Sequence, residues 1–100
     1  MMLHGIDISQ DRIESFCRAN GIRRLALFGS VLREDFCSES DIDVLVEFLP
    51  GVRVGLAFIR IQDDLSALLG RKVDLNTPGS LSKYFRDEVL GEAEALYVAA

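Results

Sequence analysis

Residues 28–46 limit the possible folds of this chain more than any other stretch does, because they combine turn residues, acidic residues and apolar runs in one order. One apolar run ends at Gly29 and Ser30. After ten intervening residues, Asp41 and Asp43 open a second apolar run. Because side chains alternate between the faces of a strand, the two aspartates share one face of this second strand. The stretch therefore predicts a strand, a tight turn and a central strand with two carboxylates at its start.

The rest of the chain alternates helical and extended patterns. The predicted elements are a helix from about Ser9 to Asn20, a strand at Leu25–Phe28, a short helical turn at Gly29, a strand at Asp41–Phe48, a helix within Val54–Leu69, a strand at Lys72–Leu75 and a last helix from Ser80 or Ser82 to about Tyr97. Three strands separated by helices predict an α+β domain of α/β-like character, in which helices pack on a small mixed sheet. Pattern alone leaves the strand order open.

Length and charge limit the class of protein. One hundred residues predict a single domain, 1–100. The formal net charge of −5 argues against direct nucleic-acid binding, which needs clustered cations. An acidic chain is still compatible with a nucleotide that carries its own magnesium, or with a basic protein partner. His4 is the sole histidine, which argues against a histidine-based metal site or catalytic triad.

The cysteines and the apolar runs predict a cytoplasmic protein. Cys17 and Cys37 lack metal-ligand spacing, which predicts inert thiols in a reduced compartment. No apolar run approaches the ~20 residues that span a bilayer. The start of the chain also lacks the basic segment and apolar core of a signal peptide. We therefore expect no contact with a membrane.

Three carboxylates favour a metal-dependent reaction. Asp41 and Asp43, two residues apart on a strand, would lie ~7 Å apart at Cα and could converge on a pair of metal ions. Asp74 would complete a cluster of three if its strand lies beside that of Asp41. Because like charges repel, such a cluster is stable only with cations. Two magnesium ions can activate a nucleophile and steady a leaving pyrophosphate, so these residues favour transfer of a nucleotidyl group.

Gly29 and Ser30 have the properties of a phosphate site. Gly29 lacks a Cβ, so the backbone can approach a phosphate closely, and Ser30 adds a hydroxyl. If a helix begins here, its free N–H groups point at the anion, and Arg33 would add a cation near a triphosphate. Taken alone, a Gly-Ser pair is usually a turn, and Asp-x-Asp a cap or a solvated edge. Asp74 and Arg33 alone would be surface charges. A nucleotide site is favoured because all these residues occur together, in an order and at strand positions that agree with one another.

The order Leu-Phe-Gly-Ser, ten residues, then Asp-Ile-Asp-Val-Leu-Val resembles the minimal nucleotidyltransferases of the DNA polymerase β superfamily. More narrowly, the chain is similar to the MNT antitoxins of prokaryotic HEPN–MNT toxin–antitoxin modules. The resemblance covers nearly the whole chain, since Leu-Leu-Gly-Arg-Lys-Val-Asp-Leu, the Thr-Pro turn and the closing helix also fit. It implies the nucleotidyltransferase fold.

The resemblance also implies a role for each motif residue. Gly29 and Ser30 would hold the nucleoside triphosphate. Asp41 and Asp43 would bind both metal ions, and Asp74 would bind the catalytic one. Some members of this family transfer AMP from ATP to a tyrosine of the cognate HEPN ribonuclease toxin, which silences it. The implied substrate is therefore ATP, the implied cofactor is Mg²⁺, and the implied partner is a HEPN-type toxin in a hetero-oligomer.

The chain departs from a common family version of the first motif, Gly-Ser-Arg-x-Arg-Gly. Val31 stands in place of the first arginine, and Glu34 stands in place of the last glycine. Arg33 is then the remaining positive group near the predicted triphosphate.

Two apolar residues of the long predicted helix, Leu56 and Ile59, lie off its core stripe. Three interpretations are open. The two side chains are ordinary exposed residues, or the last helix covers them, or they belong to a surface that contacts a partner protein. Tyr84 has the same ambiguity.

Other functions remain open at this point. An antitoxin could neutralise its partner by binding alone, with the acids kept for nucleotide sensing or by inheritance. A small-molecule nucleotidyltransferase, for instance one acting on aminoglycosides, is less favoured because one hundred residues leave little protein for an acceptor pocket. A template-using polymerase is less favoured still, given the acidic charge balance.

Overall fold

The computed structural model describes residues 2–3, 6–32 and 41–99. Its elements are β1 (Met2–Leu3), β2 (Ile6–Asp7), α1 (Gln10–Ala19), β3 (Ile22–Phe28), β4 (Ile42–Phe48), α2 (Ala57–Leu69), β5 (Val73–Asn76), α3 (Arg86–Glu92) and β6 (Glu94–Val98). Single 3-10 turns follow β3 at Gly29–Leu32 and β5 at Pro78–Ser80. None of the helices in this part of the chain is long and apolar enough to cross a bilayer.

The described residues form a four-stranded mixed sheet in the order β5-β4-β3-β6. β3 is antiparallel to both β4 and β6, whereas β4 is parallel to β5. A parallel pair needs a long crossover connection, which α2 provides between β4 and β5. The predicted α+β class, with helices packed on a small mixed sheet, is confirmed.

One face of the sheet, here called the helical face, is covered by α1 and α2. Ser9 caps α1, since its hydroxyl accepts a hydrogen bond from the Arg12 N–H at 3.4 Å. Gly70 ends α2 with a left-handed φ of 68°, a conformation that glycine adopts without steric cost. The core under these helices includes Ile13 and Cys17 of α1, Ile61, Leu65 and Leu69 of α2, and Leu25, Leu27, Ile42, Val44 and Val46 of the sheet.

Cys17 is completely buried in this core. Burial disfavours the charged thiolate and raises the pKa of the Cys17 thiol from 9.0 to about 12. Cys17 is therefore a buried free thiol that is protonated at neutral pH. Cys37 lies outside the described residues.

The opposite face of the sheet, here called the acid face, carries Asp43 and Asp74. A smaller apolar cluster covers part of it, formed by Ala26, Phe28, Leu45 and Leu81. Val89 and Leu90 of α3, and Ala93 just after it, pack against this cluster. The acids therefore lie on the face that α1 and α2 leave open.

The predicted last helix, from Ser80 or Ser82 to about Tyr97, is wrong at both ends. A 3-10 turn comes first, α3 is limited to 7 residues, and β6 pairs with β3. Without β6, β3 would expose a row of unpaired backbone groups at the sheet edge. Leu96 reaches the core from this strand rather than from a helix.

The hairpin of β1 and β2 is also absent from the sequence prediction. Each of its strands has 2 residues, too few for an alternating pattern to be recognised. Ile6 is buried in the helical-face core, and so is Ile8, which follows β2. The hairpin therefore covers core that α1 and α2 leave open.

Candidate active site

Gly29 and Asp43 pack directly against one another where β3 ends and β4 begins. Phe28 and Asp43 are antiparallel partners, so the residue after Phe28 lies beside the aspartate. Gly29 has a left-handed φ of 74°, which costs a side-chain-bearing residue free energy. A Cβ at Gly29 would collide with Asp43 Oδ2 and lie 3.2 Å from Asp43 Cγ. Glycine is therefore the residue that leaves this carboxylate in place.

Asp43 and Asp74 are in register on neighbouring parallel strands. The adjacent pair, Ile42 and Val73, belongs to the helical-face core, so the two aspartates lie on the acid face. This confirms that the strand of Asp74 lies beside that of Asp43. Like charges directly opposite one another destabilise a sheet, so a bound cation would stabilise this pair.

Asp41 lies just before β4, and its carboxylate forms an ion pair with Lys72. Lys72 Nζ is 3.9 Å from Asp41 Oδ2, and both side chains are exposed. The Ile42 N–H donates to the Lys72 carbonyl oxygen at 2.9 Å, which fixes the two chain segments side by side. An exposed ion pair contributes at most about 1 kcal/mol, so a metal ion can compete with Lys72 for Asp41.

Lys72 is a site candidate that sequence reasoning missed. It precedes Asp74 by two residues, as Asp41 precedes Asp43. In two parallel strands with Asp43 opposite Asp74, that spacing brings Lys72 opposite Asp41. The signal was present in the sequence but could be used only after the register was known.

The three carboxylates suit magnesium in chemistry, because this ion prefers oxygen ligands and takes few of them from a protein. In the described ranges 6–32 and 41–99, no three acidic, histidine or cysteine side chains are gathered closely enough to hold an ion. Binding would therefore require side-chain rotation, including that of Asp41 away from Lys72. As metal ligands, Asp41, Asp43 and Asp74 stay predictions.

The predicted triphosphate residues are described in part. Gly29 and the backbone of Ser30 lie in the 3-10 turn after β3, which confirms the predicted helical turn. Arg33 lies outside the described residues. Val31 is 1% exposed and packs in the helical-face core. The position at which the family pattern has arginine thus carries a core side chain in this chain.

A cavity of about 320 Å³ lies elsewhere in the molecule. Its lining includes Asn20 after α1, Val52 after β4 and Arg60 on α2. This region adjoins the start of β3 and the end of β4, whereas Asp43 lies at the opposite end of the same strands. The cavity is therefore separate from the acids.

The apolar residues Leu56 and Ile59 are exposed, at 89% and 61%. They belong to the start of α2, on the helical face. α3 does not cover them, because it packs on the acid face. Of the alternatives considered for these residues, cover by the last helix is wrong.

The chain is similar to known proteins over most of its length. The family described as Nucleotidyltransferase domain matches residues 11–96. Protein adenylyltransferase MntA of Thermococcus cleftensis is 39% identical over 74 residues, which are 72% of this chain and 72% of that protein. A Methanocaldococcus jannaschii protein, named provisionally as a protein adenylyltransferase, is 38% identical over 74 residues, or 74% of this chain and 78% of that protein.

Solved structures share the fold. One described provisionally as a minimal nucleotidyltransferase has a TM-score of 0.69 at 36% identity and covers 84% of this chain and 85% of its own. A toxin–antitoxin crystal structure with AMP-PNP has a TM-score of 0.70 at 23% identity, covering 92% and 75%. A complex of tri-AMPylated Shewanella oneidensis HEPN toxin with MNT antitoxin has a TM-score of 0.62 at 24% identity, covering 90% and 70%. The last two likenesses are of fold alone.

Proposed function

Because the chain belongs to the nucleotidyltransferase domain family and is a nucleotidyltransferase, we propose that it transfers AMP from ATP to a protein. The reaction uses Mg²⁺, and the acceptor is a tyrosine of a HEPN-type ribonuclease toxin, which the transfer neutralises. The register of Asp43 with Asp74, beside the glycine turn at Gly29, carries this proposal. Two carboxylates and a side-chain-free backbone then lie together at one end of the sheet, as phosphoryl transfer requires.

Each residue of the site has a task in this reaction. Asp41, Asp43 and Asp74 would hold magnesium, which when bound neutralises the triphosphate and the charge that develops during transfer. Gly29 lets the phosphates approach the backbone, and Ser30 adds hydrogen-bond donors. These interactions hold the α-phosphate in line between the acceptor oxygen and the leaving pyrophosphate.

Two cations would complete the site. Lys72 would lose its carboxylate partner if Asp41 bound magnesium, and its ammonium group could then attract the triphosphate. Arg33 is the cation that the sequence predicts near the same phosphates. Together, these two cations would compensate for the positive charge that is lost because Val31 stands in place of an arginine.

Similarity to known proteins supports the proposed acceptor and the proposed partner. A protein adenylyltransferase is 39% identical over 72% of this chain. The same fold occurs in a toxin–antitoxin structure with AMP-PNP and in a complex that contains an AMPylated HEPN toxin. A net charge of −5 also favours association with a basic partner protein.

The test uses the chain co-expressed with a HEPN-type toxin, followed by incubation with ATP and Mg²⁺ and mass spectrometry of the toxin. We expect AMP on a toxin tyrosine. The D41N/D43N double variant and D74N should each abolish it, because each removes proposed metal ligands. D63N removes an exposed carboxylate from α2 and should leave the yield unchanged. Labelling that survives D41N/D43N would contradict the assigned site.

A non-catalytic antitoxin is the second candidate. The core position of Val31 and the ion pair of Asp41 with Lys72 both favour it, since each departs from a site poised for nucleotide. In that case D41N/D43N would protect cells from the toxin as well as the unaltered chain does. Loss of protection in the variant, with complex formation retained, would favour the enzyme.

A further inference from the structure

The segment between β5 and α3 presents a tyrosine to solvent. Tyr84 is 87% exposed, which is unusual for so large an aromatic side chain. The chain has 2 tyrosines. The other, Tyr97 of β6, is half-buried and packs against the helical-face core. Of the two phenol groups, that of Tyr84 is therefore the accessible one.

Tyr84 is held close to the acid face. Leu81, three residues before it, is 9% exposed and clusters with Phe28 and Leu45. These two residues adjoin Asp43: Phe28 is its antiparallel partner, and Leu45 is the next residue of β4 on the same face. Three residues span at most ~11 Å, so the anchor at Leu81 keeps Tyr84 near the proposed site.

Local hydrogen bonds shape this segment. The Phe85 N–H donates to the Ser82 carbonyl oxygen at 3.2 Å, which closes a turn around Tyr84. Arg86 Nη2 donates to the Leu81 carbonyl oxygen at 3.1 Å and joins the start of α3 to the anchor. The ring of Tyr84 thus projects from a turn that is fastened at both ends.

The Tyr84 hydroxyl is available for reaction. Within the described part of the chain, no group forms a hydrogen bond with it. Lys83 Nζ lies 5.5 Å from the centroid of the Tyr84 ring. This cation would stabilise negative charge that develops on the phenol oxygen, and it would attract a polyphosphate.

We propose that the chain adenylylates itself at Tyr84, an inference that rests on the proposed nucleotidyltransfer from ATP. Tyr84 Oη forms a bond to the α-phosphorus of ATP while the bond from that phosphorus to the bridging oxygen of pyrophosphate breaks. Pyrophosphate leaves with the electron pair, and the phenol proton passes to solvent. The product carries a tyrosyl-AMP phosphodiester, hence added negative charge, beside the acid face.

The test needs only the purified full chain, ATP and Mg²⁺. Intact-mass and peptide mass spectrometry should find AMP added at Tyr84. Y84F keeps the ring and its contact with Lys83 but lacks the nucleophile, so it should lose the added AMP. Y97F, which removes the hydroxyl of the half-buried tyrosine, should keep it. D43N should lose it, because the reaction uses the proposed site.

The outcomes separate this inference from the proposed function. AMP on another residue, or equal labelling of Y84F, would overturn the inference. The inference would also be overturned if the chain transferred AMP to a HEPN-type partner but carried no AMP itself. That result would leave the proposed function intact. A chain that labels neither itself nor the partner would overturn both. Circular dichroism of Y84F and Y97F checks that each variant is folded.

Discussion

At the scale of single residues, Gly29 is the described glycine at which an added methyl group would make the closest contact. Its φ of 74° is costly for any other residue, and a Cβ would displace the Asp43 carboxylate. Gly70 has a similar φ of 68°, but a Cβ there has no atom within 4 Å. The two glycines therefore share the backbone cost and differ in the contact with Asp43.

We predict that G29A and G70A each lose about 1–2 kcal/mol for the left-handed backbone, and that G29A loses more because of the collision. G29A should also lose AMP transfer, whereas G70A should keep it. Urea unfolding measures the stability of both variants, and the labelling reaction measures transfer. Equal transfer by the two variants would show that the position of Asp43 is not critical.

At the scale of elements, the start of α2 and the C-terminal segment differ in how well local pattern describes them. The apolar residues of α2 form a stripe at helical spacing, and Ile61, Leu65 and Leu69 of this stripe are in the core. The same kind of stripe predicted one long helix at the C-terminus. There, pairing with the edge of β3 replaced the last helical turns by β6. Helical spacing is thus reliable where no strand edge competes for the segment.

The exposed pair Leu56 and Ile59 gives a prediction for α2. We expect L56S/I59S to unfold at nearly the same urea concentration as the unaltered chain, because neither side chain is buried. If this surface contacts the partner, the double variant should bind a HEPN-type toxin more weakly in calorimetry. V98S, at a 62%-exposed residue of β6, is the control for loss of an exposed apolar group. Unchanged binding with intact folding would remove this surface from the interface.

At the scale of the whole molecule, the metal site proposed on the acid face would couple stability to ligand binding. Asp43 and Asp74 are brought opposite one another by strands that α2 separates in the sequence. Repulsion between two carboxylates in register opposes folding, and a cation that bound only the folded chain would reverse this contribution. If the proposed metal site is correct, the acids would cost stability in the free protein and would contribute it in the metal-bound form.

We predict that D74N stabilises the chain in EDTA by about 0.2–1 kcal/mol, because it removes one of two opposed charges. Mg²⁺ should stabilise the unaltered chain, by about 2.7 kcal/mol at one hundred times its dissociation constant. D74N should lose most of that gain. Thermal unfolding with and without Mg²⁺ measures both effects. D63N, at an exposed α2 carboxylate, should respond to Mg²⁺ as the unaltered chain does; an equal response in D74N would contradict a role for Asp74.

The sequence by itself determined the features that depend on neighbours along the chain. These features are the first helix from about Ser9, the second helix that ends at Leu69, the turn at Gly29 and the central strand, with Asp43 in it and Asp41 just before it. They follow from local conformational preference and from the spacing of apolar residues. The tertiary structure alone decided what depends on distant segments. It brought Asp74 opposite Asp43 and Lys72 beside Asp41, buried Val31 and added β6. These outcomes were beyond local pattern because strand order and register come from packing and hydrogen bonding between segments far apart in sequence.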